Sequence, residues 1–217
     1  FEEVFQLAKD DPEYKIVIPI ENSLAGRVAD IHYLIPRYKL QIHAEHFQNV
    51  THNLLGIKGS KIEEIKTVRS HSQAIGQCSK IISENKLKTI ISADTAGSAK
   101  FISEKKDKSE SAIASELAAK IYNLEILKSK VEDEPGNVTR FFIMGKESKH
   151  PELKDKKYIT SCIFKLKSIP AALYKALGGF ATNGVNLCKL ESFSVKNTFD
   201  QVNFYIDIEG HIEQRSL

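Results

Sequence analysis

The sequence predicts an α/β fold: a first domain of alternating strands and helices, followed by a smaller α+β domain. Up to about residue 145, apolar β-rich runs alternate with helical segments, a pattern that favours a largely parallel sheet. Residues 144–157 are polar, charged and aperiodic, as linkers usually are. A chain of 217 residues is long enough for two such domains.

In the first domain, an apolar run leads three times through a polar turn into a helix rich in small residues. The strands are predicted over residues 15–20, 65–68 and 89–92, and the helices over residues 24–35, 71–85 and 95–104. Ser70 and Gln73 have the spacing of a capping box. The other two helices are expected to be capped by Asn22 or Ser23 and by Asp94.

A fourth helix is predicted over residues 109–124. Apolar residues recur there at helical spacing and would share one face: Ile113, Leu117, Ile121 and Leu124. This helix would complete the alternation of strands and helices in the first domain.

The three turns together predict an anion-binding pocket. In open α/β sheets ligands bind beyond the carboxyl ends of the strands, where helix N-termini offer unpaired N–H groups and the positive end of the helix dipole. Any one such turn is more often an ordinary helix cap. Three of them, each followed by small residues, favour a pocket for an anion with more than one carboxylate or phosphate.

A second candidate for chemistry is the turn Pro135-Gly136-Asn137, which leads into an apolar strand that begins with Thr139 and Arg140. An arginine can hold a carboxylate through two parallel hydrogen bonds, and a threonine hydroxyl can donate a proton. A plain surface turn followed by a strand-favouring threonine explains the same residues, so this alternative stays open.

Composition argues against several other classes. The net charge of +3 comes from dispersed lysines, without the basic stripe of a nucleic-acid-binding protein. No apolar run approaches the ~20 residues of a membrane span, and no signal peptide opens the chain. Three widely spaced cysteines fit buried thiols in a reducing cytosol better than disulfides or zinc ligands, so we expect a cytoplasmic protein. Both ends of the chain look cut.

The histidines give little support to a metal site. His43 and His46 lie three apart in a predicted strand over residues 40–47, so they would point to opposite faces. His71 follows the Ser70 cap and is expected to be a half-exposed residue of the first helical turn. No metal or phosphate-loop motif occurs, and we expect no cofactor.

The second domain is predicted to begin with a β-α-β-β unit, the first part of a ferredoxin-like fold. Its strands are expected over residues 158–166, 185–194 and 200–209. Pro170 would open the helix, and Leu173, Leu177 and Phe180 would form its buried face. Gly178 and Gly179 lie inside this helix at a cost of about 1 kcal/mol each, which indicates close packing of a ligand or a partner subunit.

Five segments resemble prephenate dehydratases, in the same order along the chain: IPIENSLAGRVADIHYLI, RSHSQAIGQC, DTAGSA, NVTRFF and IPAALYKALGGFATNGVNLCKLES. The resemblance runs from Phe1 to Leu217. It implies a catalytic domain over residues 1–145, two-lobed like type 2 periplasmic binding proteins. It also implies a linker over residues 146–157 and an ACT regulatory domain over residues 158–217.

The resemblance also implies site residues. The threonine of the family's TRF motif falls on Thr139, which we expect to be the catalytic proton donor. The expected substrate-binding residues are Asn22, Ser23, Ser70, His71, Asp94, Thr95, Ala96, Arg140 and Phe141. Ser72 stands where the family usually has proline, and we expect little effect of this difference because a proline there only helps to fix the first helical turn.

In the ACT domain, the resemblance implies an allosteric site for L-phenylalanine formed by Ala171, Ala172, Leu173, Asn186, Leu187, Glu191 and Ser192. Ala171 replaces the family's glycine in one sensing motif, and Phe193 and Ser194 replace arginine and proline in the other. These departures leave catalysis untouched and the strength of phenylalanine feedback open.

The implied function is conversion of prephenate to phenylpyruvate by a carbon–oxygen lyase in phenylalanine biosynthesis. Arogenate dehydratase is an alternative, because its substrate differs only by an amino group on the side chain. A non-catalytic two-lobed protein that binds or senses a small anion is another. ACT domains of this family pair across subunits, so a homodimer or homotetramer is expected, with no nucleic acid or membrane as partner.

Overall fold

A computed structural model describes residues 1–28, 31–147, 151–194, 202–215 and 217 of the chain. The chain forms two compact units. Unit 1 contains residues Phe1–His46 and Arg140–Leu217, and unit 2 contains residues Phe47–Thr139. The α/β class is confirmed, although the sheets are mixed. In the described residues, no helix has the length and apolar character that crossing a bilayer requires.

The N-terminal part of unit 1 is built on a four-stranded sheet of order β2-β1-β9-β3. Its elements are α1 (Glu2–Asp10), β1 (Ile16–Asn22), β2 (Gly26–Arg27), α2 (Ile31–Tyr38), β3 (Gln41–Asn49) and β9 (Val138–Gly145). Residues 47–49 of β3 and residues 138–139 of β9 belong to unit 2. Along β1, Ile16, Ile18 and Ile20 are buried at every second position, as expected for a strand with one covered face. These isoleucines share a core with residues of α1 and α2 such as Phe5 and Leu34.

Unit 2 is built on a five-stranded sheet of order β6-β5-β7-β4-β8. Its strands are β4 (Asn53–Gly56), β5 (Thr67–Ser70), β6 (Lys88–Ile91), β7 (Glu110–Ala114) and β8 (Glu125–Lys128). Its helices are α3 (Ser72–Gly76), α4 (Ser79–Glu84), α5 (Thr95–Lys105) and α6 (Glu116–Ile121), with a 3₁₀ turn at Ile62–Glu64. Strand β5 is parallel to β6 and β7, whereas β4 is antiparallel to β7 and β8. The prediction of a largely parallel sheet is therefore wrong for this sheet.

The helix predicted over residues 109–124 is also wrong. Residues 110–114 form β7, a central strand that is buried along its whole length. Only residues 116–121 are helical, with Ser115 as the N-cap accepting the Ala118 N–H. Ile113 is fully buried, while Leu117 is 65% exposed. An interior strand buried on both faces lacks the alternation that identifies a strand from sequence, so its apolar residues matched helical spacing by chance.

The C-terminal part of unit 1 is a three-stranded antiparallel sheet of order β10-β12-β11. Its elements are β10 (Ile159–Lys165), α7 (Ala172–Thr182), β11 (Leu187–Ser194) and β12 (Val202–Glu209). The predicted β-α-β-β order is confirmed, although residues 200–201 of the predicted last strand lie outside the described residues. We call these three strands the C-terminal sheet. Residues 148–150 of the predicted linker also lie outside the described part.

The buried face predicted for α7 is wrong as stated. No residue of this helix is buried, and Leu173, Leu177 and Phe180 are only partly covered. The apolar face of α7 is thus half-covered rather than buried. The helix begins at Ala172, two residues after Pro170.

Candidate functional site

Two of the three predicted helix starts leave the same edge of the sheet in unit 2. Strands β5 and β6 are parallel neighbours, with Ser70 opposite Ile91, and the Ser92 N–H donates to the Ser70 carbonyl at 2.9 Å. Helix α3 follows β5 and helix α5 follows β6. Both N-termini therefore begin at the carboxyl ends of adjacent strands, where ligands of open sheets bind.

The capping box predicted at Ser70 is wrong. Ser70 is the buried last residue of β5, and its hydroxyl donates to the Ile113 carbonyl of β7 at 2.7 Å. The cap of α3 is instead His71, whose Nδ1 accepts the Gln73 N–H at 3.3 Å. Ser70 thus joins two strands, and His71 is placed by its own short helix.

The cap predicted at Asp94 is confirmed. Its carboxylate accepts the Gly97 N–H, and the Ser98 hydroxyl donates to the Asp94 carbonyl at 2.7 Å. A Cβ on Gly97 would lie 2.9 Å from the Asp94 carboxylate, so only glycine leaves room for this cap. Thr95 and Ala96 form the first turn of α5, and Ala96 is exposed.

The third predicted helix start, at Asn22 and Ser23, is wrong. Asn22 ends β1, and its side-chain oxygen accepts the N–H groups of Leu24 at 3.0 Å and Ala25 at 2.8 Å. This Asx turn leads to Gly26 at φ +79° and into β2, which pairs with β1. A hairpin therefore replaces the helix, because the asparagine side chain and the glycine both favour a tight turn.

The turn before Thr139 and Arg140 is confirmed. Gly136 adopts a φ of +91°, and β9 begins at Val138. The turn is fixed from inside unit 2 by Asn137, which is 4% exposed. Its amide donates to the Gln77 side-chain oxygen at 3.0 Å, and its carbonyl accepts the Val50 N–H at 2.8 Å.

Gln77 is a supporting residue that the sequence did not reveal. Its side-chain oxygen also contacts the His52 Nε2 at 2.9 Å, and its carbonyl accepts the Asp133 N–H at 2.7 Å. Gln77 thus links residues 25 and 60 positions away in the sequence. The sequence shows a polar residue next to the apolar Cys78, which could have indicated a supporting role. No local pattern predicts partners so far away in the sequence.

Asp133 caps α4 from a distant segment. Its carboxylate accepts the N–H groups of Ser79 at 2.8 Å and Lys80 at 2.9 Å. Burial raises the pKa of the neighbouring Cys78 thiol to about 12, and the charges of Asp133 and Glu132 add to this shift. Cys78 is therefore a protonated core residue at neutral pH rather than a nucleophile.

Arg140 lies between two carboxylates of unit 1. Its Nε donates to Glu45 Oε2 at 2.8 Å, and its Nη1 donates to Asp207 Oδ2 on β12. Burial, the largest effect, lowers the pKa of the guanidinium, but the Asp207 hydrogen bond and the charges of Asp207 and Glu45 outweigh it and raise the pKa. A substrate carboxylate at Arg140 would have to compete with both acids. Phe141 follows and is half-buried.

A cavity of about 420 Å³ in unit 1 opens beside Arg140 and Glu45. Its walls include Tyr158 and Thr160 at the start of the C-terminal sheet and His211 beyond β12. Of the residues predicted to bind substrate, Arg140 alone lines this cavity. None of the residues predicted to bind substrate at the ends of β5 and β6 lines it.

The predicted phenylalanine-binding residues lie at both ends of α7 and along β11. Ala171 precedes α7 at φ +61°, and Ala172 and Leu173 begin the helix. The Asn186 carbonyl accepts the Glu209 N–H at 2.9 Å, and Leu187 begins β11.

Two members of the predicted effector set contact the N-terminal part of unit 1. Glu191 lies 2.9 Å from the Lys189 ammonium, 3.7 Å from Arg27 and 3.6 Å from His32. The Ser192 carbonyl accepts a hydrogen bond from Arg27 at 3.1 Å. These two residues therefore attach β11 to the elements that carry Asn22 and Ser23.

Comparison with known proteins adds a family to this geometry. The family model described as prephenate dehydratase matches residues 1–149. A bifunctional N-acyl-homoserine lactone acylase/prephenate dehydratase from Komagataeibacter europaeus is 43% identical over 201 residues, which cover 93% of this chain and 72% of the relative. The prephenate dehydratase of Methanocaldococcus jannaschii is 38% identical, over 91% of this chain and 72% of the relative. The arogenate dehydratase/prephenate dehydratase 1 of Arabidopsis thaliana is 41% identical, over 88% of this chain and 49% of the relative.

Solved structures give the same picture. GqqA, described as a novel type of quorum quenching acylase, matches with a TM-score of 0.88 and 41% identity, over 98% of this chain and 77% of that chain. The prephenate dehydratase of Arthrobacter aurescens in complex with L-Phe matches with a TM-score of 0.88 and 27% identity, over 99% of this chain and 72% of that chain.

Proposed function

The chain belongs to the prephenate dehydratase family, and from this premise we propose that it converts prephenate to phenylpyruvate. The observation that carries the proposal is the placement of Thr139 and Arg140 at the front of β9, behind a turn fixed by the buried Asn137. A rigid turn holds a hydroxyl in one position, which a proton donor in catalysis needs.

The reaction needs a proton and fixed carboxylates. As the ring carboxylate leaves as CO2, its bonding electrons enter the ring, the ring becomes aromatic, and the carbon–oxygen bond to the ring hydroxyl breaks. The departing oxygen takes up a proton and leaves as water. No general base is required, and we assign the proton to the Thr139 hydroxyl, acting within a hydrogen-bonded network.

Candidate partners for a carboxylate occur in each unit taken by itself. In unit 2 these are the N-termini after β5 and β6, with His71, Thr95 and Ala96. Ser70 and Asp94 support these ends, because the Ser70 hydroxyl donates to the Ile113 carbonyl and the Asp94 carboxylate caps α5. In unit 1 they are the hairpin turn at Asn22 and Ser23, and Phe141 beside Thr139. Exposed N–H groups at such ends bind carboxylates.

The test is turnover of prephenate, followed by the absorbance of phenylpyruvate. Thr139→Ala is expected to lower kcat at least ~100-fold, the usual contribution of a positioned proton donor. Thr139→Ser keeps the hydroxyl and serves as the matched control, with most of the activity retained. Full activity of the alanine variant would refute the assignment of Thr139. Binding of prephenate without turnover would identify a non-catalytic binding protein instead.

A second candidate substrate is arogenate, because several relatives are named arogenate dehydratases. The two substrates differ only in the side-chain amino group. Parallel assays with prephenate and arogenate, compared as kcat/KM, would assign the preference. A higher kcat/KM for arogenate would replace prephenate as the substrate while leaving the proposed chemistry intact.

We also propose that L-phenylalanine regulates the enzyme through an ACT domain of ferredoxin-like fold over residues 158–217, behind a two-lobed catalytic domain over residues 1–145. The support is the β-α-β-β order of the C-terminal part and a similar protein solved with L-Phe. Activity measured against phenylalanine concentration tests it, and an unchanged rate would reject it.

We further propose a homodimer or homotetramer in the cytoplasm, where the free thiols of all three cysteines fit the reducing conditions.

A further inference from the structure

The Asp207 carboxylate is buried and accepts hydrogen bonds on both oxygens, one of them from a cation. It lies on β12 with a side chain that is 2% exposed. Its Oδ1 accepts the hydroxyls of Ser161 and Tyr205, and its Oδ2 accepts the Arg140 guanidinium. Each oxygen therefore has a donor, and the two hydroxyls fix the orientation in which Oδ2 meets Arg140.

Arg140 is more exposed than Asp207 but still largely covered. Its side chain is 13% exposed, with Glu45 on β3 as the second acid and the Phe142 ring 4.9 Å below the guanidinium. Arg140, the residue directly after Thr139, thus pairs with Asp207 of the C-terminal sheet and with Glu45 of β3. Removing one member of such a buried pair leaves an uncompensated charge, so the arrangement resists rearrangement.

A second charge contact repeats the pattern at the other predicted motif of unit 1. Glu21, directly before Asn22, lies 2.6 Å from the Lys189 ammonium on β11. Lys189 is 13% exposed and also lies 2.9 Å from Glu191. The C-terminal sheet therefore holds both Glu21 and Arg140, the immediate sequence neighbours of residues expected in the active site.

We propose that Arg140 is a positioning residue: its pair with Asp207 fixes the front of β9, so that the C-terminal sheet sets the geometry of Thr139 without touching substrate. This inference rests on the proposed function. It replaces the expectation that Arg140 binds a substrate carboxylate. It also gives the C-terminal sheet a part in the basal reaction, before any effector binds.

Asp207→Asn separates the two roles of Arg140. Asparagine keeps an oxygen for the hydroxyls of Ser161 and Tyr205 but removes one of the two acids that hold the arginine, leaving Glu45. If Arg140 bound substrate, the variant would free it and lower KM. If Arg140 positions Thr139, kcat falls about 10- to 100-fold, since small misplacements of catalytic groups have effects of this size. KM then changes less than about 2-fold.

Arg140→Met and Arg140→Lys, combined with Asp207→Asn, complete the experiment. We expect Arg140→Met to lower kcat, Arg140→Lys to restore part of it, and the Met/Asn double variant to be no worse than Arg140→Met alone, because contacting residues are not additive. Arg37→Met is the matched control: Arg37 pairs with Glu2 in the same unit at an exposed site, and its loss should leave kcat unchanged.

The outcomes are separable. Absence of turnover in the wild-type chain would overturn the proposed function, and this inference with it. Turnover in the wild-type chain with an unchanged kcat and a lower KM in Asp207→Asn would overturn the inference alone. If Asp207→Asn melts below the assay temperature, Glu45→Gln removes the half-buried second acid instead. An unchanged kcat in that variant would count against the inference in the same way.

Discussion

The two units hold their candidate site residues by different physical means. In unit 2, neutral groups do most of this: the Ser70 hydroxyl on the Ile113 carbonyl, and the Asn137 amide on Gln77. In unit 1, charged groups do it, with Arg140 on Asp207 and Glu21 on Lys189. The neutral contacts join elements within one sheet and its helices. The charged contacts join the N-terminal part of unit 1 to the C-terminal sheet.

This difference indicates which contacts near the candidate site residues should depend on pH. Hydrogen bonds between amides, hydroxyls and carbonyls do not change between pH 5 and pH 8, because none of these groups titrates there. Buried ion pairs depend on their protonation state, and the loss of one partner strongly destabilises the other. We therefore expect the ion-pair contacts within unit 1 to respond to pH and to changes in the C-terminal sheet more than the contacts of Ser70 and Asn137 in unit 2.

The largest effect should come from the strand beneath the unit 2 network. Ile113→Ala removes a fully buried side chain of β7, and we expect it to lower the free energy of unfolding by about 2–5 kcal/mol. Leu117→Ala, at a position 65% exposed, is the control and should change it by less than about 0.5 kcal/mol. Urea unfolding measures both. Equal losses would favour the helix that the sequence predicted over residues 109–124.

Gln77→Ala tests the neutral network itself. It removes the side-chain oxygen that the Asn137 amide and the His52 ring share, and loss of a partner for a buried polar group costs about 1–3 kcal/mol. We expect that loss of stability together with a lower kcat, because Asn137 fixes the turn before Thr139. Gln73→Ala, an exposed glutamine of α3, is the matched control and should be silent. A normal kcat in Gln77→Ala would break the link between this network and the site.

The response of unit 1 to pH should be smaller and carried by His32. This histidine is fully buried, 3.6 Å from Glu191 and edge-on to Tyr205. Burial lowers its pKa below the ordinary 6.5, with Lys189 and Arg27 lowering it further and Glu191 and Asp207 opposing them. Below about pH 6.5 the unfolded chain therefore binds a proton that the folded chain does not, so stability is present above that pH and lost as the pH falls.

The slope for one proton is at most about 1.4 kcal/mol per pH unit. Denaturant unfolding at pH 7.5 and pH 5.5 measures it, and His32→Gln should flatten the dependence. The contrast between the units loses its basis if His32→Gln and the wild-type chain show the same slope.

The smallest effect on stability concerns Ala171, which precedes α7 in the C-terminal part of unit 1. Ala171 has a φ of +61° directly before α7, whereas positive-φ residues of unit 2 such as Lys106 end a helix. A left-handed conformation costs an alanine about 1–2 kcal/mol, part of which the extra freedom of glycine in the unfolded chain would offset. Ala171→Gly should therefore stabilise the protein by about 0.5–1 kcal/mol in urea unfolding. Ala176→Gly, inside the helix, should destabilise it by about 1 kcal/mol.

Local features of the molecule were predictable from the sequence, and long-range ones were not. The Asp94 cap, the turn before Thr139 and the β-α-β-β order depend on neighbours within a few residues, and these were predicted. At Asn22 two local solutions compete, a helix cap and an Asx turn, and the pairing of β1 with β2 decides between them. Direction within a sheet also lay out of reach, because β4 becomes antiparallel through its partners rather than its own residues.

The candidate site divides in the same way. Thr139 and the helix starts after β5 and β6 were identified from motif and spacing. The contacts that hold them were not, because Gln77 and Asn137 are 60 residues apart and Arg140 and Asp207 are 67 apart. Neither Gln77 nor Asp207 stands in a pattern that marks it. Only the folded chain shows that each meets a residue next to the proposed chemistry.

The pair between Arg140 and Asp207 also constrains how such a protein can be inherited. Neither residue can be exchanged alone without leaving a buried charge, so change at one position is tolerated only with change at the other. We expect the two positions to vary together among relatives, and chimeras that graft a foreign C-terminal sheet to fail wherever the graft lacks an acid at position 207. The catalytic and C-terminal segments would then evolve together rather than be exchanged separately.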